Sequence, residues 1–159
     1  MSGFSRLTSE HGITHFLSLI AQRRALVIPI VERFKGKFVK AEADDVFLLF
    51  PTPLEGLNAS LAIFQALQKW NQGKPEKCHI HASHAIAYGW LLDLGDDYFG
   101  HPVNIASKLG EDIAQKDEIL ITEEVYEVCR HHPTFQFLDF VPKKAFISGI
   151  ELEYYQLSL

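Results

Sequence analysis

Between residues 54 and 70 the apolar positions Leu57, Leu61, Phe64 and Leu67 recur every three or four residues, and Asn71-Gln72-Gly73 closes the run. This predicts the clearest amphipathic helix of the chain. A looser version of the same period runs over residues 14–34 through Phe16, Leu17, Ile20, Leu26, Ile30, Val31 and Phe34. Pro29 falls inside it, which predicts a break or kink near Val27, and Gly36 ends the helical region. Residues 37–43 and 46–50 read as short strands around a turn at Asp44-Asp45. The second of these is apolar throughout, the mark of a strand buried on both faces, and Pro51-Thr52-Pro53 stops it.

Further on, residues 78–87 and 89–94 predict a strand pair broken near Tyr88-Gly89. The stretch from Asp97 to Leu109 sets an acid ahead of a Gly-bounded turn and then opens a helix running to about Gln115. On that helix Asn104 and Lys108 are four apart and leave one face, while Val103, Ala106 and Leu109 are spaced to dock on a core. Residues 118–122 predict a strand whose Thr122 caps a helix through Cys129. Residues 135–141 and 152–157 predict closing strands, separated by Lys143-Lys144 and a turn at Ser148-Gly149. At the start, Gly3 begins a turn, and Ser5 or Thr8 caps the helix that follows. Helices and strands alternating irregularly around hairpins predict an α+β sandwich of the split β-α-β kind.

The length of 159 residues suits one domain, residues 1–159, with a single core, and 47% apolar with 22% charged residues is ordinary for a folded chain. A formal charge of −5 argues against a surface that coats nucleic acid. Cys78 and Cys129 have no metal or redox spacing, which predicts a reducing, cytoplasmic setting. No apolar run reaches membrane length and no signal-peptide pattern opens the chain, so no membrane insertion is expected. His79 and His81 would share one face of a strand with His84 on the other, and no Cys or carboxylate completes a metal set. His131-His132, after a helix end, suits solvent or the helix C-terminal dipole.

The acid, amide and ammonium of Asp97, Asn104 and Lys108 at one helix start suit a phosphate-bearing ligand; on these residues alone an ordinary solvated helix face is the favoured reading. Other stretches narrow the choice. Gly3-Phe4-Ser5, Val39-Lys40-Ala41-Glu42-Ala43-Asp44-Asp45, Ile86-Ala87-Tyr88-Gly89, Asp97-Tyr98-Phe99-Gly100 through Lys108, and Gly149 to Leu157 together resemble, in order, the motifs of the class III adenylate/guanylate cyclase catalytic domains, in a divergent bacterial form. The resemblance covers nearly the whole chain.

It implies a ferredoxin-like βαββαβ core with extra strands, used as a homodimer with composite sites at the interface. It also implies conversion of ATP to cyclic AMP and pyrophosphate for intracellular signalling, with Mg²⁺ or Mn²⁺. Asp44 matches one metal-binding aspartate. The other belongs immediately before Met1, so the first strand is expected to be missing or truncated. Backbone N–H groups of Gly3, Phe4 and Ser5 would hold the outer phosphates. Lys40 stands where adenylate cyclases carry Lys and guanylate cyclases Glu, and with Asp97 it favours adenine. Asn104 would hold the ribose. Lys108 replaces the arginine that steadies the transferring phosphoryl group, and Ser148 replaces the closing motif's lysine. Both departures leave a second reading open: a catalytically inactive module that binds nucleotide or dimerises.

Overall fold

The structure is a computed structural model that describes residues 12–147 and 149–159. Helix α1 (Ile13–Arg33) buries Phe16, Leu19, Ile20, Arg23, Val27 and Val31, positions three or four apart on one stripe. The helix is not broken near Val27: it runs through Pro29 without interruption. Pro29 and Ala25, whose carbonyl loses its i+4 donor there, both lie on the exposed side of the helix, where water replaces the missing bond. The helix ends with Lys35 in the left-handed conformation, φ 57°, and the Gly36 N–H donating to Val31 O at 2.8 Å. Gly36 serves a different purpose: a Cβ there would lie 2.4 Å from the Phe50 ring.

Strands β1 (Lys37–Glu42) and β2 (Asp45–Leu49) form an antiparallel hairpin closed by the pair Glu42 and Asp45, with a register shift between Phe38 and Lys40. The turn is therefore Ala43-Asp44, one residue earlier than Asp44-Asp45, and Ala43 takes the positive φ of 49°. Helix α2 (Pro53–Asn71) starts with Pro in its first turn, where a missing N–H costs nothing. Its buried stripe is Leu57, Ser60, Ile63 and Leu67; Leu61 and Phe64 are only half-buried, against a second apolar cluster. Asn71 at its end acts as a short strand mimic, donating to Ile80 O at 3.0 Å and accepting from Ile80 N at 2.8 Å.

Residues 79–83 are not a strand; β3 is only His84–Ile86. It pairs in parallel with β6 (Ile119–Thr122), giving a four-stranded sheet in the order β3, β6, β8 (Ile150–Ser158), β7 (Asp139–Ile147). Strands β4 (Leu92–Asp93) and β5 (Tyr98–Phe99) form a separate small hairpin leading into α3 (His101–Lys108). A single π turn, Leu109–Ile113, continues α3, with Ala114 N–H donating to Leu109 O at 2.8 Å. Helix α4 (Glu123–Cys129) follows β6 directly. Thr122 occupies the cap position, but its buried hydroxyl makes no cap hydrogen bond. Strands β7 (Asp139–Ile147) and β8 (Ile150–Ser158) form one long antiparallel hairpin that runs through Lys143-Lys144 and replaces the two shorter strands expected; Phe135 lies in a 3₁₀ turn instead.

Successive residues of β6 decide the layering, because side chains alternate across a strand. Ile119 and Ile121 pack with Leu57 of α2 and Val125 of α4, whereas Leu120 packs with Ile105 and Leu109. The central sheet thus carries α2 and α4 on one face and α3 on the other. Ile105 and Leu109, not Val103 and Ala106, are the residues of the α3 segment that reach full burial. A third cluster locks α1 onto α2 through Phe16, Leu19, Val31, Ile63 and Leu67. The architecture is the expected α+β arrangement with a mixed sheet.

Candidate functional site

Two residues far apart in the chain meet at one point. Lys40 Nζ on β1 donates to Asp97 Oδ2 at 2.7 Å, with Glu42 Oε1 at 3.3 Å from the same ammonium. Asp97 also accepts the Tyr98 N–H on Oδ1 at 2.8 Å, which fixes the carboxylate plane at the start of β5. The hydrogen bond to Lys40 holds the Asp97 carboxyl below its ordinary pKa, and the hydrogen bond to Asp97 holds Lys40 above its own. A parallel contact from Lys37 Nζ to Tyr98 Oη, 3.0 Å, joins the same two hairpins.

From Asp97 the chain turns through Gly100 into α3. A Cβ at Gly100 would lie 2.7 Å from the Trp90 carbonyl oxygen, so this crossing admits only glycine. Asn104 is exposed and Lys108 half-buried, four residues apart on α3 as the spacing required. Asp44 is half-buried in the β1–β2 turn. Gly3, Phe4 and Ser5 lie outside the described residues, as does Ser148. Lys144, one of the lysines near that closing motif, pairs with Glu151 at 3.3 Å and with Glu153.

A cleft of about 490 Å³ opens between β2 and β3, with α3 as a further wall; Lys40, Asp44, Asp45, Ser107 and Glu111 line it. Partial burial and the charges of Asp45, Asp112 and Glu42 raise the Glu111 pKa, the sign of a negative rim. Among the described residues no group of three or more His, Cys, Asp or Glu could hold a metal ion. A divalent cation needs six or more oxygens. The donor set thus fits an ion arriving on a triphosphate that brings its own oxygens, and does not fit one held by these side chains alone.

Two residues of this cleft, Arg23 and His84, and a third outside its lining, Asp117, carry features that escaped the sequence pattern. Arg23 is 5% exposed in the apolar stripe of α1, and its Nε and one Nη have no hydrogen-bond partner. Burial lowers its pKa, opposed by the charges of Asp44 and Asp45. His84 on β3 is pulled down to about 4 by burial and is neutral near pH 7. Asp117, at φ 64°, accepts from His81 Nδ1 at 2.6 Å and from the Ala82 N–H at 3.3 Å. A carboxylate therefore does reach the histidine segment, from 36 residues away, as a pairing partner.

Just before and along the β4–β5 hairpin, Trp90 is 96% exposed and Leu92, Leu94 and Phe99 are each more than half exposed. Leu92 and Phe99 are cross-strand partners, so at least these two exposed apolar side chains are neighbours. No helix among the described residues is long and apolar enough to cross a membrane.

The fold is that of the class III adenylate/guanylate cyclase catalytic domains. The structure superposes on an adenylate/guanylate cyclase/hydrolase from Silicibacter pomeroyi with a TM-score of 0.80 at 24% identity, covering 99% of this chain and 91% of that one. In sequence the chain is similar to a putative adenylate cyclase 3 of Rhizobium meliloti, 26% identical over 138 residues, and to the serine/threonine-protein kinase pkn2 of Myxococcus xanthus, 24% identical over 125 residues. Those matches take in 86% and 79% of this chain but 23% and 15% of the lengths of the two relatives. No protein-family model matches the chain.

Proposed function

We propose that this domain binds ATP and, as a homodimer, cyclises it slowly to cyclic AMP and pyrophosphate, with Mg²⁺ or Mn²⁺ carried in on the triphosphate. The observation that carries the reading is the 2.7 Å pair of Lys40 and Asp97, which unites a donor and an acceptor from opposite parts of the chain. Adenine offers an acceptor at N1 beside a donor amino group; guanine reverses both, so a Lys–Asp pair selects adenine. Asn104 orients the ribose, and the Lys108 ammonium offsets charge on the α-phosphoryl group. The 3′-oxygen forms a bond to the α-phosphorus, its proton passes to solvent, and the bond to the bridging oxygen breaks as pyrophosphate leaves with the electron pair. In this reading Asp44 would help hold the ion that the triphosphate carries, and the N–H groups of Gly3, Phe4 and Ser5 would bind the outer phosphates.

Dimerisation is supported by the exposed apolar residues Leu92, Leu94 and Phe99, which lie on the same hairpin as Asp97 and so would put an interface beside the site. The test is cyclic AMP formation from Mn²⁺-ATP. Asp44→Ala abolishes it in this reading, and Lys40→Glu lowers ATP use relative to GTP. Unchanged turnover in the first variant, or an unchanged ATP/GTP ratio in the second, refutes the corresponding role.

A second reading, a module that binds nucleotide or dimerises without turnover, is favoured by one observation. Lys108 shares a face of α3 with Asn104 and brings a point charge where a planar guanidinium fork would grip phosphate better. Saturable ATP binding with no cyclic AMP under single-turnover conditions selects this reading.

A further inference from the structure

Lysines three apart on a regular strand leave opposite faces. Lys37 and Lys40 of β1 do not. Phe38 pairs with Leu48 and Lys40 with the adjacent Phe47, so Val39 is the extra residue of a β-bulge. Lys37 lies opposite Leu49 and Lys40 opposite Phe47, two positions on one face of β2; Phe38 and Ala41 lie opposite Leu48 and Val46 on the other. Leu48 packs on the cluster that joins α1 to α2, so both lysines are on the face turned away from those helices. There they meet two consecutive residues. Lys40 Nζ donates to Asp97 Oδ2 at 2.7 Å, and Lys37 Nζ to Tyr98 Oη at 3.0 Å. Tyr98 is buried, its N–H donates to Asp97 Oδ1 at 2.8 Å, and the hydrogen bond to its hydroxyl holds Lys37 above its ordinary pKa. The β1–β2 and β4–β5 hairpins are separate two-stranded sheets, and β4 and β5 have two residues each. A hairpin that short is too weak to hold itself in place, so side-chain ties set its distance from β1.

We propose that Lys37 and Tyr98 are positioning residues for adenine recognition: the bulge at Val39 aims Lys37 at Tyr98, and their bond holds Asp97 at a fixed place opposite Lys40. The role rests on the reading of Lys40 and Asp97 as the pair that selects the base. A base that enters between them takes over their hydrogen bonds, and the direct 2.7 Å tie between the hairpins opens. The tie from Lys37 to Tyr98 then remains. It keeps the ammonium of Lys40 and the carboxylate of Asp97 at one separation, so neither has to be ordered anew when the base arrives. Its effect therefore falls on affinity for ATP and on the preference for ATP over GTP, and the chemical step at saturating ATP is left alone.

Tyr98→Phe keeps the buried ring and removes only the hydroxyl, while Lys37→Met removes the donor from an exposed position. The first measurement, on the full chain without nucleotide, follows the Asp97 carboxyl by carboxyl-carbon NMR; Lys40 faces that carboxyl, with Glu42 on the same ammonium. In Tyr98→Phe, Asp97 titrates closer to the ordinary carboxylate value although no charge has changed. Lys37→Met has far less effect in the Tyr98→Phe background than in the parent, and Lys37→Arg, which keeps a donor, preserves the parent titration. The second measurement is calorimetry with Mn²⁺-ATP and Mn²⁺-GTP. The parent's preference for ATP falls roughly three- to tenfold in Tyr98→Phe, with kcat for cyclic AMP unchanged. An unchanged Asp97 titration in Tyr98→Phe overturns the proposal whichever nucleotide the chain binds. A changed titration with the ATP preference intact overturns it too, because the tie then serves the fold alone. A parent chain that binds ATP and GTP equally refutes the base-selecting role of Lys40 and Asp97; the titration still decides whether Lys37 and Tyr98 position Asp97.

Discussion

Replacing Ala43 with glycine makes the hairpin that carries Asp44 more stable. Ala43 is exposed and sits at φ 49° in a two-residue turn between Glu42 and Asp45. An L-residue pays roughly 1–2 kcal/mol for that left-handed conformation, because Cβ crowds the following carbonyl oxygen. Glycine removes the clash but loses roughly 0.5–1 kcal/mol more backbone entropy on folding. No packing is forfeited at an exposed position, so the net gain is about 0.5–1 kcal/mol. In a domain of this size that raises Tm by roughly 1–4 °C. Urea unfolding followed by circular dichroism reads the same change as a higher midpoint at constant slope. Ala43→Val is the opposing control: a β-branched residue is a severe outlier at positive φ and lowers the midpoint by about 1 kcal/mol or more. A midpoint for Ala43→Gly at or below that of the parent, with the slope unchanged, refutes the strain assignment.

Asp117→Ala removes the carboxylate that His81 and the Ala82 N–H share and leaves alanine at φ 64°, so urea unfolding shows a loss of about 2–4 kcal/mol. Asp117→Asn, which keeps an acceptor and tolerates the left-handed region, loses less than half as much, and equal losses would refute the account. His84 titrates near 4 when folded against an unfolded value near 6.5, so below pH 6.5 the unfolded chain takes up a proton that the folded chain refuses. Its contribution is present above pH 6.5 and is lost as pH falls toward 4, by at most about 3 kcal/mol, and His84→Gln flattens that part of the stability profile. Lys108→Arg raises cyclic AMP formation from Mn²⁺-ATP roughly tenfold in the proposed function, since the fork adds a second hydrogen bond to the phosphoryl oxygens. No change would reduce Lys108 to a residue of the helix surface.

What the chain disclosed in its sequence follows the range of the forces involved. Short-range periodicity found α1 and α2, and the order of the motif stretches pointed to the cyclase fold, because both depend on spacing along the chain. The errors arose where solvent or distant chain decided the outcome. Pro29 reads as a helix breaker until its exposure is known, since an unbonded carbonyl matters only when water cannot reach it. Asp44-Asp45 reads as the turn because aspartates favour turns, yet cross-strand register moved the turn to Ala43-Asp44. Asp117 could not be matched with His81 from 36 residues away.

Arg23 is the most informative of these failures. In a helical stripe that runs Phe16, Leu19, Ile20, Val27, Val31, a charge at position 23 looks like a lapse in the pattern, and a buried guanidinium is too costly to be incidental. Its cost is offset in part by the charges of Asp44 and Asp45, which act on the guanidinium from the β1–β2 turn, so the residue ties the buried face of α1 to the hairpin that carries the candidate metal-binding acid.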